Sequence, residues 1–226
     1  MHYNNITIIG TSHIAKESVN EVKKFILEEK PQIIALELDA PRLNALLNNN
    51  KKKISLKDLK KMGFMGIIFN LIGAWAEKKL GKLVGTKPGA EMLTAIKLSK
   101  QEKIPIVLID QDIRITLSRL SKQITWKEKF RLFFDLFLGS FHNPKKIKID
   151  LNKVPDEKMI KELTKEFKKR YPSLYKTLVI ERNEVMAKNL YKLSTKEPDK
   201  QILVIMGAGH KEEIINLLKN ARKKDI

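Results

Sequence analysis

A tetrapeptide pattern occurs twice in the chain, Gly10-Thr11-Ser12-His13 near one end and Gly207-Ala208-Gly209-His210 near the other. Each copy follows an apolar run and opens a helical pattern, so each puts an imidazole at a strand-to-helix turn. Carboxylates stand at the ends of the other apolar runs: Glu37 and Asp39 after one, Asp110 after the next. In a parallel sheet these positions share the carboxyl edge, where loops converge and helix N-termini aim their amides inward. Two imidazoles with a carboxylate are a familiar ligand set for zinc or another divalent ion that keeps one position open for water. His13, His210 and Glu37 are the candidate ligands. The ion would lower the pKa of its water, and a second carboxylate could act as general base. One imidazole and one carboxylate could also activate water without metal.

Glu37 interrupts the apolar run IIALEL at residues 33–38. A buried carboxylate there is costly unless it is paired, protonated or metal-bound, so it needs a partner. Along a regular strand Glu37 and Asp39 would share a face opposite Leu38. Asp39, just before Pro41, reads equally as a helix cap, and Asp110, beside the cap candidate Asp112, reads equally as an ordinary loop carboxylate. His2, at a terminus expected to be mobile, and His142, in a Phe-His-Asn-Pro turn, read as structural or solvated. The segment GTKPG at 85–89 lacks the ending of a phosphate-binding loop, GTSH lacks the spacing of a dinucleotide fingerprint, and neither HExxH nor Gly-x-Ser-x-Gly occurs.

Four apolar runs predict buried parallel strands: Ile6 to Ile9, Ile33 to Leu38, Ile106 to Ile109 and Ile202 to Met206. Helical patterns follow each, including Ile14 to Glu29. The fold expected is α/β, with a mainly parallel central sheet, flanking helices and a large helical insertion. That insertion, about 111–200, reads as helices over Asp112 to Ser121, Trp126 to Leu138, Asp156 to Arg170 and Leu174 to Tyr191. Val179 and Ile180 are its nearest approach to a strand. No flexible linker divides the chain, so residues 1–226 read as one domain.

Two helical segments are unusually apolar: Phe64 to Ala76, and the stretch holding Phe130, Phe133, Phe134, Phe137 and Phe141. Their spacing makes one helical face. The first expectation is that the two helices pair with each other or fill the core, with a homodimer surface or a membrane-surface contact through 64–76 and 130–141 as the alternatives. The first run is too short to span a bilayer.

With no cysteine in 226 residues, disulfides and thiolate chemistry are excluded and any metal must be held by imidazole and carboxylate. The net charge of +19 attracts phosphate non-specifically. Lysines far outnumber arginines and are scattered, however, so nucleic acid is not the favoured partner. The start MHYNN lacks the features of a signal peptide, and the expected location is cytoplasmic.

Residues 8–47, IIGTSHIAKESVNEVKKFILEEKPQIIALELDAPRLNALL, resemble the opening of the TraB/PrgY family, the pheromone-shutdown proteins related to the TIKI proteases. The resemblance continues in PGAEMLTAI at 88–96, LIDQDIRITLSRL at 108–120, ERNEVMAKNL at 181–190 and IMGAGH at 205–210. It implies an α/β core of the erythromycin-esterase and ChaN-like group with both Gly-x-x-His turns at the active site. Through the TIKI branch it implies metal-dependent hydrolysis of peptide bonds, with zinc, manganese or cobalt as plausible metals. The family residues that carry over are His13, Glu37, Arg42, Glu91, Asp110, Arg119, Glu181, Arg182 and His210. Glu37, Asp110 and Glu181 are then the catalytic carboxylates, while Arg42, Glu91, Arg119 and Arg182 orient them or bind a peptide-like substrate; structural salt bridges are the alternative for the arginines. Gln111 stands where the family commonly has arginine, and Asn183 where an acidic residue is frequent. Longer members are membrane-anchored, and the ending NARKKDI carries no such segment. Two further readings stand beside the metal-dependent peptidase: a non-catalytic module that binds or sequesters a peptide, and a metal-free, esterase-like hydrolase.

Overall fold

A computed structural model describes residues 2–12, 16–48, 89–137 and 156–224. His13, His142, Phe141 and the apolar run at 64–76 lie outside the described residues.

The chain builds a five-stranded sheet in the order β1-β2-β5-β3-β4. These strands are β1 (His2–Tyr3), β2 (Ile6–Thr11), β3 (Ile33–Leu36), β4 (Ile106–Leu108) and β5 (Ile202–Gly207). All pairings are parallel except the short β1–β2 ladder. That ladder holds His2 opposite Thr7, so the backbone there is paired rather than the mobile terminus expected. β5 is buried at every position, as a central parallel strand covered on both faces must be.

Alternation along the strands divides the core. Ile202, Val204 and Met206 face one side with Ile6, Ile8, Met186, Leu190 and Ile214. Leu203 and Ile205 face the other with Ile9, Val22, Ile26, Met92 and Ala95. The first layer is formed by α8 (Glu181–Lys196) and α9 (Ala208–Lys224), the second by α1 (Lys16–Glu29) and α3 (Ala90–Gln101). Between β3 and α3 the chain forms α2 (Ala40–Asn48).

The helical region contains α4 (Ile113–Gln123), α5 (Trp126–Phe137), α6 (Glu157–Arg170) and α7 (Pro172–Tyr175). Leu120, Ile124, Leu132, Tyr171 and Leu174 form its own small core. The expected helix from Leu174 to Tyr191 is interrupted by a π turn over Lys176–Ile180. Val179 and Ile180 thus belong to a helix, and the turn shifts the register of all that follows. Phe130, Phe133 and Phe134 of α5 do not fill the core, being exposed, as is Trp126; the expected pairing with 64–76 falls outside the described residues.

Candidate functional site

The pairing of β2 with β5 brings Gly10, Thr11 and Ser12 beside the turn from Gly207 to His210. Gly10 lies opposite Met206 and Thr11 opposite Gly207. A Cβ on Gly10 would stand 3.2 Å from Ala208 Cα, so this glycine lets the start of α9 settle against β2. Gly209 has nothing within 4 Å of its virtual Cβ. It adjoins open space instead: Thr11, Ser12, Gly207, Ala208, Gly209 and His210 line an open cavity of about 350 Å³ together with Ile160, Leu163 and Thr164 of α6.

β3 ends two residues earlier than its apolar run. The Leu38 N–H donates to Leu36 O at 2.7 Å, a tight turn, while the Glu37 N–H still donates to Ile205 O of β5. Glu37 and Asp39 therefore do not share the face that a regular strand would give them. Asp39 caps α2, accepting from the Arg42 N–H at 2.8 Å and from the Ile113 N–H at the start of α4. Glu37 turns toward β5 and α8: its Oε2 accepts from the Gly207 N–H at 2.6 Å and its Oε1 from Arg182 Nη2 at 2.5 Å.

From these contacts a chain of alternating charge runs along the strand ends. Arg42 links Asp39, at 3.1 Å, to Asp110, at 2.5 Å. Arg182 links Asp110 to Glu37, each at 2.5 Å from Nη2. His210 closes it, with Nε2 3.3 Å from Glu37 Oε1 and Nδ1 2.5 Å from Asn183 Oδ1. All three carboxylates are buried, which such charges tolerate only when paired and hydrogen-bonded. Burial would raise the Asp110 carboxyl, yet the hydrogen bond from Arg182 and the charges of Arg182 and Arg42 outweigh it and hold the group below the usual aspartate value. Burial would lower the Arg182 guanidinium, but Asp110 and Glu37 hold it above the ordinary arginine value. Arg182 also donates from Nη1 to Leu178 O, 3.1 Å away in the π turn, so the carbonyl loosened by the register shift is satisfied by the side chain that the shift positions.

Three carboxylates face two guanidiniums in this chain, leaving one negative charge. Both ring nitrogens of His210 point at oxygens, Nδ1 at Asn183 and Nε2 at Glu37.

Of the residues singled out from sequence, Glu37, Asp110, Arg42, Arg182 and His210 come together. Glu181 and Arg119 form a separate pair at 3.1 Å, with Gln123 also donating to Glu181. Glu91 is buried in the first turn of α3. Gln111 donates from its backbone to Asp110 Oδ1 and from its side chain to Thr116. Sequence reasoning missed Asn183 as a member of the site. Its only signal was its position directly after Arg182 where family members carry an acid.

Among the described residues no group of three or more His, Asp or Glu is arranged to hold a metal ion. Glu37 and His210 do meet, but the oxygen that faces His210 also faces Arg182, and both Asp110 oxygens face guanidiniums. A divalent ion at Glu37 would stand against the like charge of Arg182, and His13, the third expected ligand, lies outside the described residues.

A family model described as TraB/PrgY/gumN matches residues 2–226. The chain is 40% identical to an uncharacterized protein of Methanocaldococcus jannaschii, over 95% of this chain and 53% of that one. It is 24% identical to TraB domain-containing proteins of Mus musculus and Homo sapiens, over 79% of this chain and 50% of each. The chain thus spans about half the length of the curated relatives it matches. Among solved structures, an erythromycin esterase mutant in its open conformation is similar at a TM-score of 0.34 and 13% identity, covering 90% of this chain and 60% of that one.

Proposed function

The chain belongs to the TraB/PrgY/gumN family, and from that premise we propose that it is a hydrolase of peptide-like or ester bonds in which His210 carries the proton. The observation behind this reading is the grip on the imidazole, between Glu37 and Asn183, at the wall of the 350 Å³ cavity. General acid–base catalysis needs an imidazole oriented by its neighbours and within reach of the reacting group. The Glu37 contact, at 3.3 Å, is the longer of the two, so Nε2 is the nitrogen that a bound molecule can share.

In the proposed step, a water in the cavity gives its oxygen to the substrate carbonyl carbon and one proton to His210 Nε2. His210 then gives that proton to the leaving group, which departs with the electron pair of the broken bond. Arg182 holds Glu37 in place, Asp110 anchors Arg182, and Arg42 anchors Asp110. Ile160 and Leu163 give the cavity an apolar wall for a hydrocarbon part of the substrate.

Metal-dependent hydrolysis is the second reading. What favours it is that Glu37 and His210, two of its three expected ligands, meet; what opposes it is Arg182 on the same oxygen. The test uses protein purified without added metal, its metal content, and turnover of fluorogenic peptides and nitrophenyl esters before and after chelation. The expected result is chelator-resistant turnover that falls by about 100-fold or more in His210→Gln. Unchanged turnover in that variant would overturn the reading. Stoichiometric metal with chelator-sensitive turnover would favour the second, and tight peptide binding without cleavage would favour a sequestering module.

A further inference from the structure

α5 is built inside out for its acidic residues. Its inward face carries Glu128, Leu132 and Asp135, each buried, at spacings of four and three. Both carboxylates are fully engaged there. Glu128 accepts from the Ser173 and Thr125 N–H groups and the Thr125 hydroxyl, and Asp135 from Arg170 and the Tyr171 hydroxyl. The outward face carries Trp126, Phe130, Phe133 and Phe134, at 72%, 61%, 46% and 49% exposure. Their spacing of four, three and one makes a continuous stripe along the helix.

Glu128 and Asp135 are the only acids of this helix, so its outward side holds aromatic and basic groups alone. Lys127 is exposed, and Lys129 lies over the Trp126 ring at 4.4 Å.

A stripe of aromatic rings flanked by Lys127 and Lys129 suits one kind of surface. Tryptophan and phenylalanine partition to the headgroup boundary of a bilayer, while lysines beside them are drawn to anionic lipid. The whole chain, at +19, adds long-range attraction to the same surface. From this charge complementarity, and from the sequestration of both acids on the opposite face, we infer that the outward face of α5 docks the protein on an anionic lipid bilayer. The helix would lie in the interface rather than cross it: among the described residues no helix is long and apolar enough to span a membrane. This surface is separate from the cleft at His210, so the inference stands whether or not the protein is a hydrolase.

The experiment is vesicle flotation of the full 226-residue chain. Vesicles of phosphatidylcholine alone are compared with vesicles containing about 30 mol % phosphatidylglycerol, a fraction that gives the surface a substantial negative potential. The chain has two tryptophans, so a Trp75→Phe background leaves Trp126 as the sole indole. Binding is expected to be at least about tenfold stronger on the anionic vesicles, to weaken with salt, and to move Trp126 emission to the blue. Phe130→Ser with Phe133→Ser is expected to weaken it by about tenfold or more while the circular dichroism is unchanged, since both side chains are exposed. Lys127→Glu with Lys129→Glu is expected to remove the preference for anionic lipid. Binding unchanged in the phenylalanine variant, or binding without a blue shift, would overturn the proposal. So would a wild-type dimer that ignores vesicles and becomes monomeric in the phenylalanine variant, which would assign the face to a second copy of the chain.

Discussion

Arg182→Met removes the guanidinium that joins Asp110 to Glu37 and leaves the rest of the site chemically intact. Arg182 contacts Asp110 at 2.5–3.2 Å, Glu37 at 2.5 Å and Leu178 O at 3.1 Å. Breaking a buried ion pair from one side costs about 3–5 kcal/mol, because an uncompensated charge stays behind. Asp110 keeps Arg42 and the Gln111 N–H, and Glu37 keeps the Gly207 N–H. The expected loss therefore lies near the lower bound, about 3 kcal/mol. In a chain of this size that lowers Tm by about 6–12 °C. The pH dependence tells this cause from loss of packing. In the wild type the Asp110 carboxyl sits below its unfolded value of about 3.9. It contributes stability above that value and loses it as pH falls through the folded one. In the variant burial acts on Asp110 with less opposition, its carboxyl rises, and protonation relieves the penalty as pH falls from about 7 toward 4. Urea denaturation across that range should thus show the gap between variant and wild type narrowing, and adding Asp110→Asn should cost less in the variant than in the wild type. A gap below about 1 kcal/mol, or one constant with pH, would refute the argument.

Two further substitutions test the geometry. Gly10→Ala should destabilise the fold by about 1–3 kcal/mol, because its Cβ meets the α9 backbone at 3.2 Å, whereas Gly209→Ala, with open space at that position, should be close to neutral; chemical denaturation compares the two. The Tyr171 phenol, raised to about 12 first by burial and then by Asp135, should give a late step in an ultraviolet pH titration that is missing in Tyr171→Phe. Its neutral form is the one the fold favours, so the stability it adds is present below about pH 10, is lost as pH rises to about 12, and is absent in Tyr171→Phe.

The four parallel strands were legible because each is a short apolar run, the form taken by a strand buried on both faces. Glu37 was legible for the converse reason, as a carboxylate inside such a run. What no run reveals is pairing at a distance: Arg182 meets partners 72 and 145 residues away, and only the assembled sheet brings them within reach. The π turn was hidden because one residue per turn more or less scarcely alters an apolar pattern over five residues. Yet that turn determines where Arg182 and Asn183 point. Asp39 and Glu37 were expected on one face, and the backbone turn at Leu38 separated them while the arginines rejoined them into one network.

The position of β5 has a consequence for synthesis. The strand completed last enters the middle of the sheet, between β2 and β3, which do not pair with each other. Until residue 207 has left the ribosome, the earlier strands face a gap one strand wide, with the Glu37 N–H and the Ile33 N–H lacking the acceptors that Ile205 and Gln201 supply. Local helices can form during elongation, but the sheet must wait for a pairing that spans nearly the whole chain, which is slow for topological reasons. The same late strand delivers the Gly207 N–H to Glu37 and carries His210 into place. A nascent or truncated chain therefore has neither a closed sheet nor an assembled site, and any activity this site possesses begins only when the fold is complete.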